Sequence, residues 1–205
     1  MAAPVPVLPD DCLVLRLPIG TPLVRVHWSD KGPIFFGPPA GITPSNRFDA
    51  PAGEYGTLYV AEDLAGAFAE TLLRKAARLI GWPTVAQRSF SILTLQREVI
   101  LAQLHGDGLA WHGVTSDICT GDDYGPPQAI SLAFHAKGLD GIAYRSRHNN
   151  DQLCYALFDL VAPADLAIAE THDFAGMAAI ADQLVRRHGA AWDPMLSLPP
   201  LSKLP

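Results

Sequence analysis

Cysteine is scarce in this chain of 205 residues: there are three, Cys12, Cys119 and Cys154, far apart and without a Cys-x-x-Cys pair. Their number and spacing argue against a disulfide framework or a structural zinc and fit a reducing, cytoplasmic setting. Charge is sparse and tilts negative. Fifteen Lys and Arg against 21 Asp and Glu leave −6, so no broad basic field exists for nucleic-acid phosphates, which argues against direct DNA binding. No run of about 18 apolar residues occurs, and the opening MAAPVPVLPDDCLVL lacks a charged region ahead of an apolar one. Neither a membrane span nor an export signal is therefore expected. The seven histidines show no helical His-x-x-x-His pairing, so no metal site is expected and a metal hydrolase would lack its ligands.

What is present is a globular balance, 49% hydrophobic and 18% charged, long enough to bury a sizeable core in one domain. Residues 1–22, with four prolines before Thr21, read as an extended arm carrying a short strand at 12–15. Residues 23–160 read as the body, and 161–205 as an extension packing on the same domain, with a proline-rich end. Two-residue alternation predicts strands at 23–28 and 91–96, with others at 57–61, 98–104, 141–144, 153–158 and 165–169. His27 in the first of these reads as a packed residue. Helices are predicted from Glu62 and Asp63 up to Gly81-Trp82-Pro83, from Pro126 to Lys137 before Gly138, and from Phe174 to His188. Proline and glycine in 31–51 exclude a helix or central strand there and leave a long loop, a common place for function. Residues 105–124 read as loop with room for a short helix.

The stretch from Asn46 to Arg74, NRFDAPAGEYGTLYVAEDLAGAFAETLLR, organises the rest. It places Arg47 on a loop, Tyr59 on a strand and Glu70 on a helix, in consecutive elements that can converge on one cleft. Leu64, Phe68 and Leu72 form the expected buried stripe of that helix, with Glu70 off it. Each polar residue also has a plainer reading: Arg47 as a solvated loop cation, Tyr59 as sheet surface, and Glu70 as an exposed partner of Arg74 at i+4.

A second stretch, GLDGIAYRSRHNNDQLCYALFD, adds Ser146 on a loop between two strands. Together the two stretches resemble the RES domain, the toxin half of a bacterial toxin–antitoxin pair named for Arg, Glu and Ser. The matching residues are Arg47 of NRF, Tyr59 of TLYVAED, Glu70 of AFAETL and Ser146 of GIAYRSR, and the likeness spans roughly residues 23–158. An aromatic and a Gln near the start of the helix at 126–137 are also common in that family, here Tyr124 and Gln128.

The resemblance implies an α+β fold like an ADP-ribosyltransferase core, two small packed β-sheets flanked by helices. It makes residues 23–160 the catalytic domain. It also implies an enzyme that consumes NAD+ as substrate by cleaving the nicotinamide–ribose bond. Glu70 would offset the positive charge developing on the ribose, Tyr59 would stack on or orient nicotinamide, Ser146 would hydrogen-bond ribose or carboxamide, and Arg47 would bind the diphosphate or orient the ribose. Water, phosphate or a protein side chain could accept the ADP-ribose, giving an NAD+ glycohydrolase, a phosphorylase or an ADP-ribosyltransferase. The implied partner is a cognate helix-turn-helix antitoxin able to block the cleft, with a target protein if the acceptor is protein. The alternative is a non-catalytic protein-binding module in which Arg47 and Glu70 form a structural ion pair.

Overall fold

Alternation of inward and outward side chains governs most of the fold. The computed structural model describes residues 7–38, 41–73 and 78–200. In chain order the elements are β1 (Val14–Leu17), β2 (Pro22–Trp28), β3 (Thr57–Ala61), α1 (Leu64–Leu72), β4 (Leu79–Ile80), α2 (Trp82–Ala86), β5 (Arg88–Leu95) and β6 (Val99–Leu104). They continue with α3 (Asp107–Trp111), α4 (Asp117–Thr120), α5 (Gly125–Ala136), β7 (Gly141–Arg145), β8 (Leu153–Phe158), β9 (Leu166–Asp173), α6 (Ala178–Arg187) and β10 (Ala191–Trp192). The class is α+β, as expected.

Among the described residues eight strands join in the order β1-β6-β7-β8-β3-β2-β5-β9, and β10 with β4 forms a small parallel pair. Within the large sheet only β6 and β7 run parallel. Its centre is thin: β2 and β3 share a single registered pair, Val24 with Ala61, whereas β2 pairs with β5 along its whole length. The sheet therefore consists of a five-strand lobe and a three-strand lobe.

Residue parity sorts the core. Leu58 and Val60 of β3 join Leu23, Leu93, Leu95, Leu101 and Leu157 in one cluster that draws on both lobes and on no helix. The expected pair of packed sheets is thus two lobes of one hydrogen-bonded sheet whose inner side chains meet. On the opposite face Ala61, Cys154, Ala156 and Phe158 pack with Phe68 of α1 and with Ile130 and Phe134 of α5. At the head of β7, Gly141 allows a close strand approach, since a Cβ there would lie 2.2 Å from the Ala156 carbonyl oxygen.

Helix α1 opens as predicted but ends early. Asp63 is its N-cap, with a side-chain oxygen 2.7 Å from the Gly66 amide, while Glu62 turns away to accept from the Leu153 amide. The helix stops at Leu72, and Gly81-Trp82-Pro83 does not end it but starts α2, where proline in a first turn loses no hydrogen bond. The predicted stripe is also modified. Phe68 is fully buried, yet Leu64 and Leu72 are only partly so, because Ala65–Ala69 are enclosed on a second side by the C-terminal elements. Phe68 meets the Phe174 ring edge-on at 5.6 Å, and the His188 ring accompanies it from the end of α6. Arg74, the suggested i+4 partner of Glu70, lies outside the described residues, as do the first six residues of the N-terminal arm.

The chain after Val161 builds structure on this body. Strand β9 pairs with β5 along the sheet edge and runs four residues past the predicted end, and the helix expected at 174–188 is a 3-10 turn at Phe174–Gly176 followed by α6. Arg97 fastens this region to the other lobe: it donates two bonds to Asp140, at 2.7 and 3.0 Å, one to Asp165 at 3.0 Å and one to the Leu160 carbonyl at 3.0 Å. Because the arginine side chain is 35% exposed, solvent discounts the charge interaction. Arg97→Ala is expected to lower unfolding stability by about 1–2 kcal/mol, mainly through the lost bidentate geometry. Urea denaturation of the two proteins measures it.

Candidate functional site

Where β2 and β3 part after their one registered pair, the sheet opens into a cleft of about 350 Å³. Val24, Arg25 and Val26 of β2 line one side and Tyr59, Val60 and Ala61 of β3 the other. Helix α1 supplies Glu70 and Thr71, the loop before β3 supplies Asn46 and Arg47, and Arg88, Cys119, Tyr124, Tyr144, Arg147 and His148 complete the wall. Three of the four predicted residues, Arg47, Tyr59 and Glu70, therefore share one concave surface.

Arg47 is only 8% exposed, which removes the reading of a solvated loop cation. Its guanidinium carbon lies 4.7 Å from the centroid of the Tyr124 ring, and Nη1 donates to the Ile118 carbonyl at 3.5 Å. Gln128, one helical turn beyond Tyr124, donates to the Asn46 carbonyl at 3.1 Å. The pair noted at the start of the helix thus braces the loop that carries Arg47.

Tyr59 braces the same loop from the sheet. Its hydroxyl donates to Asp49 at 3.0 Å and accepts from the Phe48 amide at 2.9 Å, so both of its ordinary hydrogen-bonding roles are taken. Asp49 is fully buried and also accepts from the amides of Ser45 and Asn46. Burial, reinforced by the Asp49 carboxylate, holds the Tyr59 phenol well above its usual range. Tyr59 is consequently a neutral phenol presenting a ring to the cleft, and proton abstraction is closed to it.

Ser146 differs from expectation. It is 1% exposed and is not part of the cleft wall. Its hydroxyl donates to Glu70 Oε1 at 2.6 Å and accepts from the amides of His148 and Asn149, at 3.1 and 3.2 Å. The expected direct bond from Ser146 to ribose or carboxamide has no opening in this geometry, because the hydroxyl proton is spent on Glu70. Ser146 instead fixes the carboxylate from behind and ties it to the 146–149 turn.

Glu70 and Arg47 do not pair with each other. Each is committed elsewhere, to Ser146 and to Tyr124 with Ile118, so the structural ion pair of the binding-module reading is not formed. Cys119 sits between their fields, and burial pushes its thiol up to about 12, which removes it as a nucleophile near neutral pH.

The sequence reading missed the charge of the site. Four arginines, Arg25, Arg47, Arg88 and Arg147, line the cleft beside one carboxylate, in a protein whose net charge is −6. Arg147 is paired with Asp122 at 3.0 Å, whereas burial lowers the Arg25 guanidinium to about 10. Arg25 lies in β2 and Arg88 opens β5, and the β2–β5 register that sets Trp28 opposite Arg88 joins positions some 60 residues apart. Local periodicity carries no signal for that pairing. The arrangement can hold an anion on its guanidinium groups and offer one fixed carboxylate to a developing cation.

A family model for the RES domain matches residues 22–177. No curated protein sequence matches the chain. Among solved structures, a chain of the M. tuberculosis MbcT-MbcA toxin-antitoxin complex is similar with a TM-score of 0.66 and 14% identity, over 83% of this chain and 92% of that one. At that identity the likeness concerns the fold. No helix among the described residues is long and apolar enough to cross a membrane. With most of its length matched by the family model, and Arg47, Tyr59 and Glu70 in one cleft backed by Ser146, the chain belongs to the RES domain family.

Proposed function

We propose that this protein is the toxin of a toxin–antitoxin module and that it cleaves the nicotinamide–ribose bond of NAD+. The observation that carries the reading is the Glu70 carboxylate, held by Ser146 at 2.6 Å and alone among four arginines on the cleft wall. Breaking that bond leaves positive charge on the anomeric carbon, as in the oxocarbenium-like states of glycoside hydrolysis. Glu70 offsets this charge from the ribose side, and nicotinamide leaves as a neutral molecule that needs no general acid. One carboxylate is sufficient, and one is what the cleft presents.

The remaining residues divide the other tasks. Arg47 grips the diphosphate with a planar fork of donors, and Tyr59 offers its ring to nicotinamide. Ser146 is a positioning residue that acts through Glu70. The segment after residue 160 packs on the same domain through β9 and α6. The partner is a cognate antitoxin of helix-turn-helix type, consistent with the similarity to a chain of a toxin–antitoxin complex.

The test is nicotinamide release from NAD+ by the purified protein, run with water alone, with added phosphate and with a protein fraction. Release in at least one condition, with ADP-ribose, its 1-phosphate or a modified protein as the second product, supports the activity and names the acceptor. Absence of release in all three refutes it.

A further inference from the structure

Glu70 is the carboxylate on the cleft wall, and a second one, Asp49, stands behind that wall. Asp49 is fully buried, and among the described residues it forms no ion pair with a cationic side chain. Hydrogen bonds alone satisfy its oxygens. The amides of Ser45 and Asn46 donate to Oδ2 at 3.0 and 2.8 Å, the Asn46 side chain donates to the same oxygen at 3.1 Å, and the Tyr59 hydroxyl donates to Oδ1 at 3.0 Å. Burying a carboxylate is costly, and here every donor that offsets the cost belongs to the loop at 45–49 or to β3.

These bonds wrap the chain around Asp49. The Asp49 amide donates to the Asn46 carbonyl at 3.3 Å, closing a turn with Arg47 and Phe48 at its centre. Phe48 is fixed from two sides, its amide donating to the Tyr59 hydroxyl at 2.9 Å and its carbonyl accepting from Ser131 at 2.9 Å. Arg47 is thus aimed from a turn that cannot shift without breaking bonds to buried oxygens. Glu70 is held by a different set, the Ser146 hydroxyl and the amides of the 146–149 turn. The two charged residues are positioned by separate networks.

We propose that Asp49 is a positioning residue that acts through Arg47, setting the direction of the guanidinium fork toward a bound anion while making no contact with that anion itself. The assignment rests on the reading of Arg47 as the diphosphate grip. The neighbours explain why the position carries an acid. All of them are donors, so the amide of Asp49→Asn sets an N–H group against one side or the other. With its nitrogen toward the loop it opposes backbone N–H groups, and with its nitrogen toward β3 it removes the acceptor of the Tyr59 hydroxyl proton.

Equilibrium binding of ADP, which carries the diphosphate and lacks the nicotinamide ribose, reads the Arg47 grip apart from the chemistry. Asp49→Asn should weaken ADP binding about 10-fold, the scale of one lost hydrogen bond to a charged group, and should raise the KM for NAD+ by a similar factor. Because Glu70 keeps Ser146, kcat should stay within about twofold. In an Arg47→Ala background the same substitution should change ADP affinity by less than about twofold, since no guanidinium is left to aim. If Asp49→Asn does not fold, Tyr59→Phe, which keeps the ring and removes one donor to Asp49, decides by the same two comparisons. A folded variant that lowers the melting temperature but binds ADP as the wild type does assigns Asp49 to stability alone and overturns the proposal. Equal losses with and without Arg47, or failure of ADP to bind the wild type, overturn it too. The NAD+ reading falls separately, by absence of nicotinamide release whatever the ADP isotherms.

Discussion

Glu70→Gln should lower kcat for nicotinamide release by ~10²-fold or more, the loss seen when one preorganised stabilising group is removed from an active site. The amide keeps the size of the side chain and still accepts the Ser146 hydroxyl proton, so the 2.6 Å contact behind it survives in modified form. What it cannot do is oppose a positive charge that exists only in the transition state. The effect should therefore fall on kcat, with KM and folding little changed. Steady-state kinetics with a denaturation curve for each protein separates the two. A variant that retains wild-type kcat removes Glu70 from the chemistry.

Arg47→Ala should act on the other parameter. A guanidinium that grips the diphosphate binds substrate and transition state alike, so its loss should raise KM by roughly 10- to 100-fold, the worth of a hydrogen bond to a charged group. Because Arg47 is buried against Tyr124, the truncation also leaves a gap in the wall. Arg47→Lys distinguishes these causes: lysine restores the charge but lacks the planar fork, so recovery of only part of the lost affinity points to bidentate phosphate binding. The measurement is KM together with the equilibrium affinity for NAD+. An Arg47→Ala protein with unchanged KM contradicts the assignment.

The local half of this site was legible in the sequence. Arg47, Tyr59 and Glu70 lie within 24 consecutive residues on a loop, a strand and a capped helix, and short chain segments bring them together. Strands β3 and β8 begin and end where alternation and flanking turns place them. The non-local half was not legible. Arg25 and Arg88 reach the cleft through the β2–β5 register, and the cleft exists because β2 and β3 pair only once. Neither fact has a trace in local periodicity.

Other departures have equally local causes. Ser146 was recognisable as important, but whether its hydroxyl faces ligand or Glu70 depends on the 146–149 turn, whose two amides hold its oxygen. Helices α3 and α4 are five and four residues long, too short for a 3.6-residue period to register, which is why 105–124 read as loop with room for one short helix and neither helix could be placed. Gly81-Trp82-Pro83 was misread because glycine and proline flank helix starts as well as helix ends. Asp49, two residues after Arg47, is the buried acceptor on which Tyr59 and the loop amides converge; its position three residues after Asn46, a turn-forming pair, was the available signal.

The most direct test of the central claim is a crystal structure of the Glu70→Gln protein with NAD+, in which slowed turnover preserves the substrate. The nicotinamide ribose should lie in the cleft with its hydroxyls within ~2.6–3.2 Å of the residue 70 side chain, and the Arg47 guanidinium should contact the diphosphate. NAD+ bound with its nicotinamide ribose away from residue 70, or seated outside the cleft altogether, would contradict the account.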